Sequence, residues 1–168
     1  PAIVGTSAPN TPNTFLVLKR SLSDFELLCE VKQHPGLNSG IQILSAVDGG
    51  TANRRGRLRG LQVELDPTDR AYTGGLYDEG RRGWLYPLTD APYARRAYSP
   101  GEWNRIRVLS EGGRVRTWVN GIPASDARDD LARSGHVGLQ VHGVGAASEP
   151  MEVWFRNIRI RPLTRAVE

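Results

Sequence analysis

Three stretches of the chain put polar, chemistry-bearing side chains at alternate positions. They are Gln42; Gln62, Glu64 and Asp66; and Gln140 and His142. The middle stretch, Gly60-Leu61-Gln62-Val63-Glu64-Leu65-Asp66, alternates strictly, with Leu61, Val63 and Leu65 in the opposite phase. Two carboxylates and an amide in one phase make an acceptor-rich row. A solvated face more often mixes Lys, Thr or Ser with charges of both signs. Amides and carboxylates together supply the fixed donors and acceptors that sugar hydroxyls require, and aromatic rings stack on the C–H faces of sugars. Tyr77, Trp84, Tyr86 and Tyr93 could form such a rim, with Arg81-Arg82 beside it as site residues or as ordinary surface charge. The competing reading is that the polar row is the wet side of a half-exposed sheet. His142 alone would then be a structural or solvated histidine.

Successive side chains of a strand point to opposite faces, so each stretch needs an extended segment with one dry side. The same pattern recurs along the chain. Short strands are expected near 2–4 and 15–18, then at 24–32, where Phe25, Leu27, Cys29 and Val31 share a phase, and at 39–45. Residues 48–56 form a Gly/Asn/Arg loop, and 67–100 is a long non-periodic region whose aromatics and glycines argue against disorder. A hairpin follows, 104–109 with 114–119 across Glu111-Gly112-Gly113, and Asn120-Gly121 marks another tight turn. Residues 126–133 suit one short helix. Strands at 137–142 and 152–161 complete the chain, the last with a bulge near Asn157 where the apolar phase changes. Trp103 and Trp118 are assigned to the core. About ten short strands with sandwich-like turn spacing predict an all-β, two-sheet antiparallel β-sandwich of jelly-roll type.

Composition agrees. The chain has 168 residues, 39% of them hydrophobic, with 19 Gly and 11 Pro. One domain over 1–168 is expected, long enough to bury a core without metal or disulfides. Net charge is +4, carried by arginines interleaved with acids, which favours solubility over a nucleic-acid stripe. No apolar run reaches the length of a membrane span. The single cysteine, Cys29, reads as a core residue and carries no redox information. No zinc motif, phosphate loop or serine triad is present, and His34, His136 and His142 lack metal-ligand spacing, which leaves only a carboxylate–histidine site assembled across strands. No signal peptide is visible in a chain that opens Pro-Ala-Ile.

An ordered series of motifs adds a resemblance. Ser23-Asp24-Phe25-Glu26-Leu27, Asn38-Ser39-Gly40-Ile41-Gln42, Gly60 to Asp66 and Gly74-Gly75-Leu76-Tyr77 occur in that order. Gly101-Glu102-Trp103-Asn104, Val119-Asn120-Gly121, Gly138-Leu139-Gln140-Val141-His142 and Phe155-Arg156-Asn157-Ile158 follow. The series resembles the 3-keto-disaccharide hydrolase domain family over about 13–163. The family's Asn-Gly-Lys-x-Leu-x-Gly-Trp-like opening is missing, so an edge strand is expected to be absent or supplied otherwise. The resemblance implies a concanavalin A-like jelly roll in a secreted or periplasmic protein. It also implies a glycoside oxidised at carbon 3 as substrate, and an oxidase that supplies it. The implied chemistry is proton removal at carbon 2, elimination, and water addition, with no spaced carboxylate pair. On that basis His142 or Glu64 is the base, and Asp66 orients a partner or helps bind a cation. Gln42, Gln62 and Gln140 hold hydroxyls, Arg81 or Arg82 steadies the enolate, and Tyr77 and Trp84 form the stacking wall. A divalent cation could replace the arginine. A non-catalytic carbohydrate-binding module is the alternative.

Overall fold

A computed structural model describes residues 1–48, 57–146 and 149–163, so most of the expected loop at 48–56 lies outside the described residues. The described chain is a sandwich of two six-stranded antiparallel sheets. Sheet I runs β1 (Ile3–Thr6), β12 (Glu152–Pro162), β3 (Phe25–Gln33), β8 (Asn104–Glu111), β9 (Arg114–Val119), β10 (Ile122–Arg128). Sheet II runs β2 (Thr14–Val17), β11 (His136–Val141), β4 (Ser39–Asp48), β5 (Arg57–Leu65), β6 (Leu76–Glu79), β7 (Gly83–Tyr86). Strands adjacent in sequence are often split between the sheets, as jelly-roll winding requires. β1 is an edge of sheet I and β2 an edge of sheet II.

The alternation explains the layers. Phe25, Leu27, Cys29 and Val31 of β3 meet Ile41 and Ile43 of β4 and Leu61, Val63 and Leu65 of β5 in one continuous core. Gln33 ties the two sheets together at one end, its buried Nε2 donating to Leu37 O at 2.7 Å and to Leu65 O at 3.0 Å. The bulge expected at Asn157 is present. The β12–β3 register shifts between Arg156 and Arg159, and Asn157 has φ 52°.

Three expectations are corrected. The non-periodic region 67–100 contains β6, β7 and a single helical turn, α1 (Pro92–Arg95). These strands are four residues each, too short to show a period. Residues 126–128 are strand rather than helix, because Asp126, Ala127 and Arg128 pair with Arg116, Val115 and Arg114 of β9. Pairing along a sheet overrides the helix preference of Ala and Arg. Trp103 and Trp118 are half-buried on the outer side of sheet I. Arg156 lies 3.8 Å from the Trp103 ring centroid and Arg107 lies 4.2 Å from that of Trp118. The core phase of β9 belongs to Val115, Thr117 and Val119.

Candidate functional site

The three polar stretches belong to neighbouring strands, β11, β4 and β5. Their register sets Gln42 opposite Gln62, and Gly40 opposite Glu64. Gly40 matters for the shape of this face. A Cβ there would lie 2.6 Å from Gln62 Cγ, so the glycine makes room for the Gln62 side chain to lie across β4. A cavity of about 520 Å³ is lined by Gln62, Glu64, Asp66, Gln140 and His142, with Tyr77 and Trp84. The row is not the wet side of a sheet: Gln62, Glu64 and Asp66 are only 2%, 4% and 1% exposed.

A chain of buried side-chain hydrogen bonds orients it. Ser45 Oγ donates to Gln42 Oε1 at 2.6 Å, and Gln42 Nε2 donates to Gln62 Oε1 at 2.9 Å. Gln62 Nε2 then donates to Glu64 Oε2 at 3.0 Å. Each amide is fixed by its neighbour, so the chain has one polarity and ends on a carboxylate. Gln42 therefore lies behind the cavity and touches it through Gln62. Glu64 Oε1 also accepts from Asn38 Nδ2 at 2.7 Å and from Arg70 Nη2 at 3.3 Å. Burial raises the Glu64 carboxyl above its ordinary range, against the pull of those donors.

Asp66 behaves in the opposite way. Burial would raise it, but hydrogen bonds outweigh burial and hold it below the ordinary range. Oδ1 accepts from Thr68 Oγ1 at 2.7 Å and from Thr68 N at 3.2 Å; Oδ2 accepts from Arg70 Nε at 2.7 Å and Tyr72 N at 3.3 Å. Asp66 thus folds the following loop around itself and aims Arg70. The guanidinium lies 5.1 Å from the Trp84 ring centroid and 5.4 Å from that of Tyr72. Trp84 meets Tyr72 and Tyr77 edge-on at 5.1 and 5.2 Å. The aromatic wall is therefore clamped from several sides.

Two groups in the cavity keep unused hydrogen-bonding capacity. Gln140 is fully buried, and neither its Oε1 nor its Nε2 has a partner. Leaving a buried polar group unpaired costs about 1–3 kcal/mol. A ligand entering the cavity could recover that cost. His142 places Nδ1 2.7 Å from Gly143 O. A carbonyl only accepts, so Nδ1 carries a proton, and in the neutral ring Nε2 keeps the lone pair.

Several of the expected residues stand elsewhere. Arg81 and Arg82 do not line the cavity. Arg81 Nε donates to the buried Asp78 Oδ1 at 2.6 Å, while Arg82 pairs with Asp78 and, at 2.8 Å, with Asp129. They support the β6–β7 turn. Tyr86 and Tyr93 are also outside, the latter 80% exposed. The sequence reading missed Asn38 and Arg70. Asn38 sat unremarked inside the Asn38-Ser39-Gly40 motif, and Arg70 was visible only as a cation four residues beyond Asp66. Among the described residues no group of three or more His, Cys, Asp or Glu side chains could hold a metal ion. Of the three carboxylates that line the cavity, Glu64 and Asp66 are turned on Arg70 and Glu79 lies 3.7 Å from Arg57, so the donor set does not fit a divalent cation.

Solved structures share this fold. A protein from Parabacteroides distasonis, provisionally described as a glycosyl hydrolase, is 19% identical with a TM-score of 0.63, covering 97% of this chain and 81% of its own. The carbohydrate-binding module CBM66 from Bacillus subtilis is 15% identical with a TM-score of 0.58, covering 90% and 83%. The laminarinase catalytic domain from Thermotoga maritima is 11% identical with a TM-score of 0.55, covering 91% and 69%. No curated protein matches the chain in sequence. The model of the 3-keto-alpha-glucoside-1,2-lyase-like domain matches residues 2–161, almost the whole length, and the chain belongs to that family of carbohydrate-active domains.

Proposed function

We propose that the chain cleaves glycosides whose sugar carries a ketone at carbon 3. The observation that carries this reading is the meeting of an imidazole with a free Nε2, a buried glutamate and an arginine–tryptophan wall in one cavity. The ketone acidifies the hydrogen on carbon 2. His142 Nε2 takes that proton, and the C–H electron pair forms a carbon 2–carbon 3 double bond while the negative charge moves to the ketone oxygen. Arg70, rather than Arg81 or Arg82, faces this charge, and the unpartnered Gln140 amide offers a further donor. The enolate re-forms the ketone, its carbon 2–carbon 3 π pair moves to a carbon 1–carbon 2 double bond, and the carbon 1–oxygen bond breaks with both electrons leaving on the oxygen. The leaving oxygen receives the proton from the imidazolium. Water then adds to carbon 1 of the enone, and carbon 2 regains a proton. The sum is glycoside plus water to free 3-keto sugar plus alcohol. Glu64 accepts a sugar hydroxyl and keeps Arg70 in place, and Tyr77 and Trp84 stack on the ring. In this role Glu64 is less suited to act as the base, because it already accepts three side-chain donors.

A carbohydrate-binding module without catalysis is the second reading. It is favoured by the engagement of Arg70 with Glu64 and Asp66, an arrangement that would also serve static recognition. Incubation with a 3-keto-glucoside, with and without chelator, separates the two by product mass. Release of alcohol and 3-keto sugar at the same rate in both arms is the expected result. An unsaturated product would limit the reaction to elimination, an unchanged glycoside would leave only binding, and loss of turnover with chelator would overturn the assignment of Arg70.

A further inference from the structure

The outer face of sheet I carries a second, larger groove of about 710 Å³, on the opposite side of the sandwich from the cavity. It crosses β12, β3, β8 and β9. Leu28 lies on its floor, 40% exposed in the middle of a central strand. Three arginines, Arg105, Arg107 and Arg159, and one carboxylate, Glu30, line it. The arginines are not equivalent. Arg107 pairs with Glu26 at 2.8 Å, as does Arg161, and Arg156 pairs with Glu30 at 2.7 Å. Arg105 and Arg159 are exposed and make no close ion pair among the described residues. Arg105 does stand across from Glu30, whose carboxyl is held low first by the Arg156 and Asn157 hydrogen bonds and then, in part, by the Arg105 charge.

Register fixes how far apart these two stand. Leu28 faces Arg159 on β12, and Glu30, two residues further along β3, faces Arg105 on β8. Two strand spacings across and two residues along put their Cα atoms about 12 Å apart. One carboxylate cannot bridge that span, whereas two anionic groups on a chain can. Leu28 supplies apolar surface between them, and Trp118, one strand beyond Arg105 and stacked by Arg107, borders the groove; both suit the C–H faces of sugar rings. Glu30 in the floor would repel a continuous phosphate backbone, and Leu28 alone is too little apolar surface for a bilayer.

We propose that this groove binds a carboxylated glycan chain, a polymer with spaced uronic acid residues, each carboxylate taken by one exposed guanidinium in a charge-assisted pair. The site is independent of the chemistry assigned to the opposite face. Titration calorimetry of the whole chain with a galacturonate hexamer tests it, with the fully methyl-esterified hexamer as the neutral control. The acid form should bind and weaken with salt, and the ester should bind at least tenfold more weakly. The double variant Arg105→Gln/Arg159→Gln should lose at least tenfold for the acid form, and Trp84→Ala, in the other cavity, should not. Equal binding of acid and ester, no loss in the double variant, loss in Trp84→Ala, or equally tight binding of a single-stranded oligonucleotide or anionic vesicles would each overturn the proposal.

Discussion

At the scale of single residues, the two carboxylates of β5 and its following loop respond to pH in opposite senses. Glu64 holds its proton more tightly when folded than the ordinary carboxyl near 4.5. Its stabilising share is therefore complete below that pH and is lost as pH rises through the raised folded value. Asp66 is held below its ordinary 3.8, so its share is present above 3.8 and disappears as pH falls through the lowered value. Melting curves across pH should show this: Asp66→Asn is destabilised at neutral pH by about 1–3 kcal/mol, and the gap narrows on acidification below 3.8. For the proposed chemistry, His142→Ala should slow exchange of the carbon-2 hydrogen of a 3-keto sugar with D2O by about 10²–10⁴-fold. NMR of the bound sugar reads that step without requiring glycoside cleavage. Exchange at the wild-type rate would remove His142 from the base role. Arg70→Gln should cost about 2.7–4 kcal/mol of barrier, the range of a lost oxyanion donor.

At the scale of elements, alternation carried most of what the sequence could show. Strands β3, β4, β5 and β11 each displayed a dry phase and a polar phase, and the polar phases of β4, β5 and β11 share one face of sheet II, while that of β3 lies on the outer face of sheet I. Strands β6 and β7 were hidden by their brevity, and β10 by residues that favour helix until β9 lies beside them. The direction of the Ser45–Gln42–Gln62–Glu64 chain could not be read at all, since amide orientation depends on contacts across strands. That chain can be broken from behind the cavity. Gln42→Ala strips Gln62 of its donor and frees the amide to rotate. kcat should fall about tenfold, a loss of about 1.4 kcal/mol, with KM nearly unchanged. Gly40→Ala should act more severely on KM, because the added methyl takes the space that the Gln62 side chain fills and displaces it. Steady-state kinetics of the pair would distinguish orientation from space.

At the scale of the molecule, the sandwich was legible because turns and apolar phases repeated along the whole chain, whereas the links between sheets were not. Gln33 spans from β3 to β5, and Thr117 and Ser125 of sheet I donate to Gly74 O at 2.6 and 2.8 Å, anchoring the segment before β6. These are single long-range contacts with no local signal. The shared core makes opening a global event. Cys29 is buried within it, and burial pushes its thiol up to about 12. Alkylation of Cys29 should therefore be negligible in native buffer and rise with denaturant in step with loss of tryptophan fluorescence. Phe25→Ala, removing a fully buried ring from the same core, should cost about 3–5 kcal/mol and accelerate that labelling.

The dryness of both sides of β5 has one more consequence. If that segment slid one position against β4, three aliphatic groups would jut into the hollow and an amide with two acids would be driven into hydrocarbon. The polar lining thus acts as a key that admits a single alignment during assembly. Recasting it for a greasier ligand would blunt that key, so redesigned versions should mispair and aggregate before they fail to bind.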